Sequence, residues 1–172
     1  FGVADPACKP YYWTHGRFAP EIAASMRAVV DTLLDRAAAR DCVLVGHSGG
    51  AALALLIAPD LTHRCRIVTV AGLVDTAAWT QWQRYEPLDG SLNPADSIQR
   101  LAGIPQVHLL GARDRNIPPE QTKQALAPLR DAVVLEYETF DHGCCWERSW
   151  RAILRRIEGN GAATARAGAA SD

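Results

Sequence analysis

The sequence has almost no net charge. Eighteen Lys and Arg face nineteen Asp and Glu, leaving −1 at neutral pH. No global basic field is present to hold nucleic acid or an acidic membrane. The arginines that do cluster, Arg148, Arg151, Arg155 and Arg156, read as the solvated face of a helix. Long hydrophobic runs are also absent. The longest, Ala51 to Ala58, is far too short to span a bilayer as a helix. Internal repeats are lacking, and the five cysteines, Cys8, Cys42, Cys65, Cys144 and Cys145, do not have the spacing of a zinc finger or ribbon. Adjacent Cys144 and Cys145 with His142 are poor candidates for a tetrahedral metal, so no metal or other cofactor is expected. Cys42 and Cys65 flank apolar runs and are expected to be buried thiols. Cys8 has three possible partners: Cys144, Cys145 or a cysteine outside the chain.

What remains is an ordinary globular composition. Of 172 residues, 48% are apolar and 22% charged, enough for one domain with a sizeable core. Residues 1–19 form an aromatic-anchored loop with Tyr11, Tyr12 and Trp13. Pro20 and Glu21 open a helix, since proline suits its first turn and glutamate its dipole. Ile22, Met26, Val29, Val30, Leu33, Leu34 and Ala37 recur along one face to about residue 39. Short β-branched or apolar runs at Cys42–Val45, Arg66–Ala71, Gln106–Leu110 and Ala132–Tyr137 are predicted strands. Helices are predicted between them: after Ser48, after Asn93-Pro94, and after Pro118. A last helix runs from Trp146 to about Glu158. Residues 72–104 form an irregular insert, and Gly159–Asp172 a disordered tail. The predicted domain is therefore 1–158. Strands alternating with helices give an α/β fold with a mostly parallel sheet flanked by helices.

The chemistry lies at the strand ends. Gly46-His47-Ser48-Gly49-Gly50 is a G-x-S-x-G turn between a strand and a helix, which holds a serine hydroxyl out of the fold at a helix N-terminus. The third strand is followed by Gly111-Ala112-Arg113-Asp114 and the fourth by Phe140-Asp141-His142-Gly143. Serine is a weak nucleophile without a base. His142 would take its proton, and Asp114 would orient the imidazole. Asp75, just beyond the second strand, is a rival for the acid. His15, His47, His63 and His108 lack the strand-end setting, and His47 is expected to shape the turn.

These three motifs, in this order, resemble the α/β-hydrolase superfamily over roughly residues 20–157. Residues 8–22 and 139–146 are also similar to a subgroup of bacterial α/β-hydrolases, some of them exported or lipid-anchored. That leaves localisation between cytoplasm and envelope. The resemblance implies a serine hydrolase acting on a small ester-type substrate. It implies Ser48, Asp114 and His142 as catalytic residues and the Gly49 N–H as one oxyanion donor. Trp79, Trp82 and Tyr85 of the insert are candidate pocket walls. The alternative is a non-catalytic module or an inactive fragment. The family's second oxyanion donor and first strands have no counterpart before Cys42, so the chain is expected to be the C-terminal part of a longer hydrolase. The strand before Ser48 would then leave an apolar edge exposed.

Overall fold

The computed structural model describes residues 8–168, with side chains through residue 158. The tail residues 169–172 and the first seven residues of the predicted loop lie outside the described residues. Contacts divide the chain into two compact units, 1–142 and 143–172, whereas the sequence predicts one domain to residue 158.

The first unit is built on four strands: β1 (Asp41–His47), β2 (Arg64–Val70), β3 (Gln106–Gly111) and β4 (Val133–Tyr137). They pair in parallel in the order β1-β2-β3-β4. Parallel neighbours need a crossover between them. The crossovers carry α2 (Gly49–Ile57), α3 (Thr76–Gln83) with a 3-10 segment (Pro94–Leu101), and α4 (Pro119–Leu126). The predicted helix after Asn93 is thus a 3-10 segment with non-helical dihedrals at Ser97. Asn93 does cap it, accepting from the Ala95 N–H. One core cluster joins Leu55 of α2, Ile67 of β2, Ile98 and Leu101 of the 3-10 segment, and Leu126 of α4.

Helix α1 (Pro20–Arg36) precedes β1. Its predicted apolar face is only partly covered: Ile22, Val30 and Leu34 are half-buried, but Met26, Val29 and Leu33 are exposed. Among the described residues β1 is an edge strand, with Val43 and Val45 exposed as well.

Two features of the sheet add to its pairing, and the first departs from expectation. Cys42 and Cys65 are not free buried thiols. They are half-buried and disulfide-bonded, because the parallel register sets Cys42 opposite Cys65 at a Cα separation of 4.4 Å. Cys8 is free and exposed, and Cys144 is bonded to Cys145. The second feature is His108, which is fully buried in β3. Its ring lies between Thr69 Oγ1 at 2.8 Å and Gln106 Oε1 at 3.0 Å. Gln106 spends its amide N–H groups on the Leu101 and Ile104 carbonyls. Its Oε1 must therefore accept, His108 Nε2 donates, and Nδ1 is left to accept from the Thr69 hydroxyl. Burial pushes the imidazole pKa down to about 4.

The second unit is α5 (Trp146–Gly168) with the turn before it. The helix continues past Glu158, where the sequence predicts a disordered tail. Ala162, Ala163, Ala165 and Ala167 are the residues of highest helix propensity, which favours continuation.

Candidate active site

Ser48 sits between β1 and α2 with φ 54° and ψ −122°. A non-glycine residue at positive φ is strained and persists there only where its surroundings hold it. Here they do: Ser48 donates its N–H to the Val70 carbonyl at 3.0 Å, and its own carbonyl accepts from Ala51 and Leu73 at 3.1 Å each. The turn is closed by contact at Gly46, where a Cβ would meet the Gly50 oxygen at 2.5 Å and the Ala51 nitrogen at 2.6 Å. Only glycine fits. Gly49 begins α2, so its N–H is among the helix-opening amides that lack an intrahelical acceptor.

The acid loop follows β3. Asp114 is buried, its side chain 1% exposed. Oδ1 accepts from the Asn116 and Ile117 N–H groups at 2.8 and 2.9 Å, which fixes the carboxylate. Oδ2 faces His142 Nδ1 at 2.8 Å. The loop holding His142 is tied to the acid loop by main-chain bonds, Ala112 N–H to the Tyr137 carbonyl and Arg113 N–H to the Phe140 carbonyl. Gly111 permits this approach, since a Cβ there would meet the Phe140 oxygen at 2.7 Å. His142 Nε2 then lies 3.0 Å from Ser48 Oγ. A carboxylate can only accept, so Nδ1 carries the proton and Nε2 presents its lone pair to the serine hydroxyl. Such a relay can deprotonate a hydroxyl and return the proton to a departing group.

The structure thus brings Ser48, Asp114 and His142 together. Asp75 is elsewhere. It caps α3, accepting from the Ala77 and Ala78 N–H groups, and is the helix cap rather than the acid partner of His142. The insert aromatics separate into two kinds. Trp79 packs with Phe18, Ala52, Leu73 and Ile117, and Phe18 is the side chain that a Cβ at Gly49 would meet, at 3.3 Å. Trp79 Nε1 also reaches Asn116 Oδ1 at 3.4 Å. Trp82 and Tyr85 are more than half exposed. Trp82 Nε1 contacts the Arg115 carbonyl at 3.4 Å, and Tyr85 packs edge-on to Trp79. Phe18 was not singled out by sequence; it follows His15-Gly16 in an irregular loop, where no periodicity marks an inward residue. Among the described residues no group of His, Cys, Asp or Glu is arranged to hold a metal ion.

A serine stands on a tight turn after parallel strand β1, with the acid after β3 and the histidine after β4. Solved structures share the fold. An esterase of Pyrococcus furiosus superimposes with TM-score 0.64 at 13% identity, over 81% of this chain and 62% of its own. This is the α/β-hydrolase fold. A puromycin hydrolase with the same α/β-hydrolase fold matches at TM-score 0.64 and 20% identity, over 83% of this chain. A Paleococcus ferrophilus monoacylglycerol lipase matches at TM-score 0.57 and 15% identity, over 78% of this chain and 74% of its own. The chain spans only 24% of the puromycin hydrolase. A family model for class 3 lipases matches residues 9–72, the stretch holding α1, β1, the Ser48 turn and α2. No curated protein sequence matches significantly. No helix of the described residues is long and apolar enough to cross a membrane.

Proposed function

We propose that the chain carries the catalytic site of a serine hydrolase that cleaves a carboxylic ester through an acyl-enzyme. One observation carries the proposal: the unbroken relay from Ser48 Oγ to His142 Nε2 at 3.0 Å and from His142 Nδ1 to Asp114 Oδ2 at 2.8 Å. A non-catalytic module has no need of a buried, loop-anchored carboxylate aligned with a histidine and a strained serine.

In this reading Ser48 Oγ attacks the ester carbonyl carbon while His142 Nε2 takes the hydroxyl proton. The carbonyl electron pair moves onto oxygen, and the Gly49 N–H donates to that oxyanion. The intermediate collapses, the C–O bond to the alcohol breaks, and His142 protonates the leaving oxygen. Water repeats the sequence on the acyl-enzyme and releases the acid. Asp114 stabilises the imidazolium and holds its tautomer. Thioesters and amides suit the same steps with a different leaving group. Of the three insert aromatics, Trp79 is the pocket wall, since it shares a cluster with Phe18 beside Gly49. Trp82 and Tyr85 would meet substrate only at the rim.

The test is covalent labelling by a fluorophosphonate together with ester turnover. Ser48→Ala should abolish labelling and lower turnover by roughly 10³–10⁶-fold. Retained labelling in that variant would remove Ser48 from its role.

A further inference from the structure

His47 precedes the nucleophile and is the last residue of β1. Its ring does not close the Ser48 turn, which main-chain bonds and the Gly46 contact already hold. It turns instead toward the histidine of the relay. His47 Nε2 lies 3.0 Å from the main-chain oxygen of His142, and the two rings sit 5.1 Å apart at 47°. A carbonyl oxygen can only accept, so His47 Nε2 must carry a proton and donate. The loop before His142 is anchored at Phe140, through the Tyr137 carbonyl and the Arg113 N–H. The bond from His47 continues that anchorage onto His142 itself.

We infer that His47 is a positioning residue that ties the main chain of His142 to the strand carrying Ser48. This rests on the hydrolase reading above. The physical advantage is one of reference frame. His47 and Ser48 are consecutive, so a clamp from His47 registers the base against the nucleophile's own backbone. The Asp114 contact registers it against a different strand end. Two clamps from two strands fix the imidazole where either alone leaves a hinge. The ring contact limits tilting of His142, and the N–H bond limits its displacement. Proton transfer needs the Ser48–His142 separation held near hydrogen-bond distance, and small displacements are costly.

Two variants separate the parts. His47→Phe keeps a ring and removes the donor. His47→Gln removes the ring and keeps an N–H donor near the position of Nε2. The first measurement is the downfield proton resonance of the His142 Nδ1–H that is hydrogen-bonded to Asp114. It should be sharp in the parent and in His47→Gln, and broadened by exchange in His47→Phe. The second is steady-state ester turnover. His47→Phe should lose about 10- to 100-fold in kcat with KM nearly unchanged, the scale of a reacting group misplaced by about 1 Å. His47→Gln should restore most of it. Parental resonance and kcat in His47→Phe would overturn the inference, as would equal losses in both variants. If Ser48→Ala kept its turnover, the hydrolase reading would fail, and the resonance comparison would still decide whether His47 holds His142.

Discussion

Gly46 and Gly50 flank Ser48 symmetrically in sequence and asymmetrically in space. A Cβ at Gly46 would meet backbone atoms of Gly50 and Ala51, whereas a Cβ at Gly50 would meet nothing within 4 Å. Backbone cannot yield as a side chain does. Gly46→Ala should therefore cost about 1–3 kcal/mol of stability, the scale of an overpacked core. Gly50→Ala lies in the first turn of α2 and should be neutral or gain up to about 1 kcal/mol from helix propensity. Urea midpoints of the two variants check this, and equal midpoints would refute it. At this scale the relay was legible because each member lies just past a strand, and parallel sheets gather such positions at one edge. His47 has the same setting in sequence as any residue inside the motif. Its partner, the oxygen of His142, lies 95 positions away, and no local pattern announces that.

At the scale of elements, the Cys42–Cys65 bond fastens the strand that carries Ser48 to its neighbour. Closing a loop of this length restricts the unfolded chain. Replacing both cysteines by serine should cost about 3 kcal/mol. Non-reducing digestion should recover the Cys42 and Cys65 peptides joined. Recovery of two separate peptides from protein folded under oxidising conditions would refute the pairing. All four strands were legible, since short β-branched runs between helical periods read clearly. The pairing of the cysteines was not, because register is set by the packing of two strands and not by either one. Helix α1 shows the opposite limit. Its apolar period marks one continuous face, yet Met26, Val29 and Leu33 stay exposed. Periodicity reports which face is apolar, not how much of it a neighbour covers. The 3-10 segment at Pro94–Leu101 shows that a good cap and a proline start a helical turn without deciding its type.

For the molecule as a whole, His108 makes stability depend on pH. The folded state keeps its imidazole neutral down to about pH 4, while the unfolded chain takes up a proton near the ordinary value of about 6.5. Between these values the unfolded state binds more protons, so stability falls as pH falls. The contribution is complete above pH 6.5 and is lost toward pH 4, in total about 3 kcal/mol. Urea unfolding at pH 7 and pH 5 should show about 2 kcal/mol of this loss in the parent and a flatter dependence in His108→Leu. That variant should also be less stable at pH 7, since Thr69 Oγ1 and Gln106 Oε1 lose their partner. An unchanged pH slope would remove His108 from the account.

The sequence by itself determined the alternation of strand and helix, the parallel sheet, and the serine, acid and histidine after the first, third and fourth strands. These are local facts, written in hydrophobic period, turn residues and order along the chain. Tertiary structure alone decided that Asp75 caps a helix while Asp114 meets His142, and that Cys42 faces Cys65. It alone also decided that His47 reaches the histidine loop. Each depends on which segments lie beside one another, and that is set by packing between distant parts of the chain.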